Sequence, residues 1–521
     1  MIYLDYAATT PLHPAAAEAM RAWMPPDGAF GNPASSHAAG RAAATAVGQA
    51  TRQLAAAIGA DGDEIIWTSG ATEANNLAIK GAYEFYGQRG RHIVSSRVEH
   101  KSVLDACRHL QAQGANVTWL EPDADGLISS QAVIAALRED TILVSLMWVN
   151  NETGVITDIP ALAPQLRERG VLLHVDAAQA LGKLPVNLSE LPVDLLSIAG
   201  HKIYGPQGVG ALFVRRKPRA RLVPQMHGGG HQQGMRSGTL AVHQIAALGA
   251  AAAQLAAALD EQPRLAAIRA GFEQRLLAEP DLHINGARAP RAANYSNFSV
   301  GGVHGEALRA SLPALCLSSG SACSSATAEP SYVLRALGRS DLMAGASLRL
   351  SLGLPSTEAE VAAAGDQIIG AIRRLRALAQ GRQAEAAAEL DNFNDYPAPV
   401  WQRYTAAAHL GQRLAAGELT VAASADAVAA QIRIDLQLRI EADQLVAVTA
   451  QVLGCPVSIA VADWLVERLR GAAVQELQAL TAQDLIAELE IPESHLHCAL
   501  VGEDLCRDLH QQLQNLTSNN P

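Results

Sequence analysis

Cysteine is scarce in this chain of 521 residues: there are six, and their spacing forms no framework of the kind that staples small secreted domains. A disulfide scaffold is therefore not expected, and each thiol becomes a candidate for chemistry in a reducing compartment. Charge is sparse too. Charged residues make up 17% of the chain and the formal net charge is −11, with no long block of one sign. That argues against a nucleic-acid or anionic-membrane partner and implies mainly solubility. Long apolar runs are missing as well: IAALGAAAAQLAAAL from Ile245 is short, Ala-rich and interrupted by a glutamine. It reads as a packed helix, not a membrane span. The start, MIYLDYAATTPLHP, has no basic region followed by an apolar core, so no export signal is read and a cytoplasmic location is expected. No internal repeat is visible.

What is present is ample material for a buried core, with 49% hydrophobic residues, and length for two to four folding units. Between residues 60 and 220, apolar runs alternate with helical segments. They begin at Glu64, His92, Asn116, Thr141, Val171, Val193 and Val209. Near-continuous apolar strands separated by helices predict a mostly parallel α/β sheet with helices on both faces. Ligands gather beyond the carboxyl ends of such strands, and there the runs end in Thr72, Asn151, Asp176 and the pair His201–Lys202. From about Ile245 to Gln380 the texture turns to α+β, with a capping box of Thr357 and Glu360 opening the last helix. A polar, turn-rich stretch from Gln380 reads as a linker or entry segment. Beyond it, QIRIDLQLRI and LVAVTAQVLG predict an antiparallel hairpin, followed by three helical segments.

Lys202 follows a strand and precedes a Gly-rich turn, where a Schiff-base lysine has to be poised and partly desolvated. Taken alone it would be a solvated charge; its companions change that. Asp176 can pair with the ring nitrogen of pyridoxal 5′-phosphate (PLP), or else serve as a structural cap. TSGATEANN from Thr68 is a strand–loop–helix junction whose free N–H groups and Thr72 hydroxyl suit a phosphate. Cys323 lies in SSGSACSSA, a run of small residues where a thiol is wasted as packing but suits a travelling nucleophile. Cys107, Cys316 and Cys506 lie in apolar contexts and read as core.

Nine motifs stand in one order: YLDYAATTP, FGNPASSH, TSGATEANNLAIKG, EHKSVLD, NNETG, HVDAAQ, GHKIYGP, MRSGTLAVHQI and SSGSACSSATAEPSYVLRALG. Over residues 1–378 the chain resembles the cysteine desulfurases of the NifS/IscS type. The resemblance implies a PLP fold-type I large domain (residues 16–245) and a smaller α+β domain (1–15 with 246–380). It also implies that Lys202 carries PLP, that His100 stacks on its ring and moves protons, and that Asp176 and Gln179 meet its nitrogen and phenolic oxygen. Ala71, Thr72 and His201 would bind the phosphate, joined by Thr239 of the partner subunit of a homodimer. Asn151 and Arg349 would hold the carboxylate of L-cysteine. Cys323 would take the sulfur as a persulfide and hand it to acceptor proteins of iron–sulfur assembly. One position departs from the family: a serine is usual where Ala199 stands, which predicts weaker PLP retention. The rivals are a selenocysteine lyase, a small-substrate aminotransferase with no use for Cys323, and a degenerate, non-catalytic relative.

After a linker over residues 381–400, the segment 401–521 resembles the U-type iron–sulfur scaffold proteins, through LGCPVSIAVADWLVERLRG and TAQDLIAELEIPESHLHCALVGEDL. The family's ligand pattern falls on Asp426, Cys455, His497 and Cys498, but Ser424, set before the first strand, replaces a ligand cysteine. A hydroxyl is a far poorer ligand for zinc or iron than a thiolate. Three readings stand open for this unit: a tethered sulfur acceptor or metal-binding scaffold, a regulatory module without metal, and an intact cluster-building scaffold.

Overall fold

The computed structural model describes residues 1–24, 28–319, 330–382, 390–411, 413–414, 420–427 and 430–518. A seven-stranded sheet dominates the first half: β1 (Ile65–Thr68), β2 (His92–Ser96), β3 (Asn116–Leu120), β4 (Thr141–Met147), β5 (Leu172–Asp176), β6 (Leu195–Ala199) and β7 (Gly210–Val214). Its order is β1-β7-β6-β5-β4-β2-β3. All neighbours run parallel except β7, which is antiparallel to both β1 and β6. Each strand lies where an apolar run predicts it. Helices cover both faces, so every residue of β1, β2, β4, β6 and β7 is buried, which explains runs of apolar residues in place of alternation. The polar exceptions are satisfied. His174 on β5 meets Ser145 Oγ of β4 at 2.8 Å and Ser197 Oγ of β6 at 3.0 Å, and burial pushes its pKa down to about 4, leaving it neutral.

Helices α1 (Ala38–Ile58), α2 (Ala71–Tyr86), α3 (Lys101–Ala112) and α4 (Val242–Ala252) flank this sheet. A smaller antiparallel sheet follows, of β8 (Leu282–Ile284), β9 (Tyr295–Val300) and β10 (Ser347–Ser351), with helices α5 (Gly305–Ala310) and α6 (Glu358–Ala379). The expected capping box of Thr357 and Glu360 opens α6. The chain's beginning joins this unit, Ile2 and Tyr3 pairing in parallel with Leu315 and Cys316.

The C-terminal unit is a three-stranded antiparallel sheet, β11 (Thr420–Ala427), β12 (Ile432–Glu441) and β13 (Gln444–Leu453). The predicted hairpin β12–β13 turns through Ala442 and Asp443, whose φ angles of 49° and 62° suit a tight two-residue turn. The three predicted helices are α8 (Pro456–Leu469), α9 (Ala482–Leu489) and α10 (Leu496–Ser518). Two elements differ from expectation. Ser424 and Asp426 stand within a strand, not before one, because the Ala-rich TVAASADA has weak intrinsic strand preference and is recruited by pairing with β12. Helix α7 (Ala398–Ala406) begins inside the stretch that reads as a linker.

This unit shares one continuous hydrophobic core with the smaller sheet's domain, through residues such as Leu378, Tyr404 and Val452. Polar contacts fix the seam: Tyr404 Oη donates to Ala307 O at 2.7 Å, and His304 Nε2 lies 2.9 Å from Ala430 O. No single helix among the described residues is long and apolar enough to cross a membrane; α4 with the segment Leu255–Leu276 would pass only as a pair bent by 45°.

Candidate active site

Beyond the carboxyl ends of β4, β5 and β6 lies a cavity of about 460 Å³, lined by Thr72, His100, Asn151, Asp176, Gln179 and Lys202 among others. Each side chain is brought there by its strand end. Lys202 closes a single helical turn, Gly200–Lys202, directly after β6. Ala71 and Thr72 open α2, so their backbone N–H groups face the cavity with the positive end of the helix dipole. Gly210 lets that helix entry lie against the sheet: a Cβ there would stand 2.4 Å from Ile198 O and 2.7 Å from Gly70 Cα.

A chain of hydrogen bonds orients the polar groups. Asp176 Oδ2 accepts from Asn75 Nδ2 at 2.8 Å, and its Oδ1 accepts from Ala178 N at 2.9 Å. Asn75 also donates to Ser102 Oγ at 2.8 Å, and that hydroxyl lies 2.8 Å from His100 Nδ1. His100 Nδ1 further accepts from Ser102 N at 3.2 Å, so the proton of the neutral ring sits on Nε2. Burial pushes the His100 pKa below its ordinary value. Gln179 Nε2 donates to Ala7 O at 2.8 Å while its Oε1 accepts from Lys183 Nζ at 2.9 Å, which fixes the amide's orientation. Burial brings Lys183 down to about 7. His201 Nδ1 lies 3.2 Å from Thr9 Oγ1.

Arg349 is 2% exposed. One of its terminal nitrogens donates to Asp5 Oδ1 at 2.7 Å and the other to Asn151 O at 2.7 Å. Its Nε and the Asn151 Oδ1 are buried without a protein partner, polar atoms that await a ligand.

Cys323 lies outside the described residues. Both flanks of its segment are anchored beside the cavity. Ser318 O accepts from Arg349 N at 2.7 Å; Ser331 Oγ donates to Glu152 Oε2; and Tyr332 Oη donates to Glu99 O at 2.7 Å. Thr239 is exposed and does not line the cavity of its own chain. Cys107 and Cys506 are buried, and burial pushes both thiols up to about 12; Cys316 is half-buried. Asp5, Asn75, Ser102 and Lys183 also build the site, and the sequence reading assigned them no role. Asp5, Asn75 and Ser102 lie inside the motifs YLDYAATTP, TSGATEANN and EHKSVLD, the only signal that could have found them.

A family model described as Aminotransferase class-V matches residues 2–363, and one described as NifU-like N terminal domain matches residues 395–514. The cysteine desulfurase IscS of Proteus mirabilis is 53% identical over 379 residues, which are 72% of this chain and 94% of that protein. The chain belongs to the cysteine desulfurases of the class-V aminotransferase family. Among solved structures, a NifS-like protein superimposes with a TM-score of 0.65 at 30% identity, covering 70% of this chain and 98% of that one. DndA of Streptomyces lividans gives 0.58 at 39% identity, covering 67% and 99%. The desulfurase is thus a PLP-dependent enzyme carrying a second, NifU-like unit. Its cavity fits that cofactor: an amine at a strand end, a hydrogen-bonded carboxylate on the neighbouring strand, and a helix N-terminus for the phosphate surround a space of the right size.

In the C-terminal unit, Cys455 and Cys498 are brought together, Sγ to Sγ 3.5 Å, and both are buried. Asp426 is exposed on β11. The His497 ring stacks against His495 with centroids 6.0 Å apart. The donor atoms that gather within 4.8 Å of one another, among the described residues, belong to Glu306, Cys455 and His495.

Proposed function

We propose that this desulfurase takes the sulfur of L-cysteine onto Cys323, releasing L-alanine, in the cytoplasm and as a homodimer whose partner subunit lends Thr239 to the phosphate. Atoms balance without an external oxidant: the Cys323 thiol and cysteine become a Cys323 persulfide and alanine. When bound, PLP supplies an electron sink that lets a proton leave the substrate's Cα. The chain's own groups do the rest. Lys202 Nζ would hold the cofactor, and its free amine would be the base that carries a proton. Asp176, held by Asn75 and Ala178, would offer its carboxylate to the ring nitrogen of the bound cofactor, and Gln179, held by Lys183 and Ala7, would present its amide to the phenolic oxygen. His100 shuttles a proton at Nε2. Arg349 and Asn151 receive the substrate carboxylate. The guanidinium is pre-set by Asp5, so little ordering remains to be done at binding. The Cys323 thiolate attacks the substrate sulfur; its segment is tethered at both ends next to His100, Asn151 and Arg349, which supports that reach.

The observation that carries this reading is the meeting of Lys202, Asp176, His100 and the underused Arg349 around one cavity. Alanine formation from L-cysteine tests it. Lys202→Ala is expected to form none. Arg349→Lys loses a planar fork, so its KM for cysteine should rise roughly tenfold while PLP content stays unchanged. Full turnover by Lys202→Ala refutes the assignment.

The NifU-like unit then receives the sulfur, with Cys455 and Cys498 as its acceptor thiols. The unit shares one hydrophobic core with the desulfurase body, which removes the need for a diffusional encounter. Peptide mass mapping after turnover should find sulfur on the C-terminal unit; sulfur confined to Cys323 rejects the relay.

A further inference from the structure

Where the two units meet, three side chains from distant parts of the sequence converge. Glu306 comes from α5 of the desulfurase body. Cys455 stands at the N-terminus of α8, and His495 lies in the single turn Glu493–His495 before α10. Their oxygen, sulfur and nitrogen donors all lie within 4.8 Å of one another, and Glu306 Oε1 is 3.0 Å from His495 Nε2. Ligands sharing one tetrahedral zinc stand roughly 3.3–3.8 Å apart, so small side-chain movements would admit an ion. The Cys455 thiol makes no helix-capping hydrogen bond. Cys498 Sγ lies 3.5 Å from it but outside the group of donors that gather within 4.8 Å of one another.

We infer that Glu306, Cys455 and His495 bind a zinc ion that pins the NifU-like unit to the desulfurase body. Mixed thiolate, imidazole and carboxylate donors select zinc over magnesium or calcium. The supporting contacts are those a metal site needs: Tyr396 Oη donates to Glu306, and His495 Nδ1 lies 2.8 Å from Ser494 Oγ. The ligand set differs from the one the scaffold resemblance implies. Asp426 stands exposed on β11, next to Ser424 where that pattern has a cysteine, and the enzyme's own carboxylate takes the vacated share. With zinc bound, Cys455 is a ligand, so metal loading and sulfur acceptance at that thiol exclude each other.

The test uses the full-length enzyme, stripped with a chelator, desalted, and titrated with zinc against a chromophoric chelator. This measurement does not pass through cysteine turnover, so it stands or falls apart from the catalytic reading. The wild type should bind one zinc per chain. Glu306→Gln, which keeps a hydrogen-bond acceptor for Tyr396, and Cys455→Ser should each weaken binding at least tenfold. Asp426→Asn and His497→Asn should leave it unchanged. Matching thermal unfolding curves for the stripped proteins would show that each variant folds; if Glu306→Gln does not, His495→Asn takes its place with the same expectation. A wild type that binds no zinc overturns the proposal. So does undiminished binding by a folded Glu306→Gln or His495→Asn, or loss of binding in Asp426→Asn.

Discussion

Ala199 lines the cavity two residues before His201, and its methyl group offers the phosphate nothing. A hydroxyl there would add one hydrogen bond to a charged group, worth about 1.5–3 kcal/mol. Ala199→Ser should therefore tighten PLP by one to two orders of magnitude, measured by equilibrium dialysis of the cofactor; unchanged affinity would contradict this. His100 gives a second residue-scale expectation. Burial disfavours its charged form, so the ring stays neutral to lower pH than a free histidine. The acid limb it contributes to kcat/KM should fall below about 6.5 and vanish in His100→Asn; a limb above that value assigns the titration elsewhere. The residues Thr72, Asn151, Asp176 and Lys202 that line the cavity were legible because their chemistry is tied to strand ends. The groups that aim them were less so. Asn75 and Ser102 act by hydrogen bonds between elements, and Lys183 by one to Gln179 four residues before it; nothing in their types distinguishes such a contact from a solvated surface.

Strands β1, β2, β4, β6 and β7 of the large sheet are buried on both faces and had to be largely apolar, which is why they could be read from the sequence. Strand β11 had no such signature: Ala-rich and half-exposed, it takes its conformation from β12. Close helix packing is equally hidden in composition. On α4, a Cβ at Gly249 would stand 2.4 Å from Ala50 Cα and 2.5 Å from Ala50 Cβ on α1. Alanine at a helix interior would ordinarily gain about 1 kcal/mol, but the overpacking cost of about 1–3 kcal/mol opposes and should exceed it. Gly249→Ala is expected to lower the denaturant midpoint of the PLP-binding domain; an unchanged or higher midpoint would show that α1 and α4 can separate cheaply.

At the scale of the molecule, two units legible as separate resemblances turn out to share one hydrophobic core. No sequence pattern announces which faces dock, since Glu306 and His495 are 189 positions apart and each alone reads as an ordinary charged or polar group. The fusion places a sulfur-releasing cavity and a pair of buried thiols on one body. The proposed relay across it requires that sulfur leave cysteine through Cys323. The most direct measurement is a single-turnover pulse of L-cysteine, followed by alkylation, peptide mass mapping and alanine quantitation. One sulfur on the Cys323 peptide per alanine formed, with neither product in Cys323→Ala, is the predicted result. Alanine formed at the wild-type rate by Cys323→Ala, or sulfur carried first on another cysteine, would contradict it.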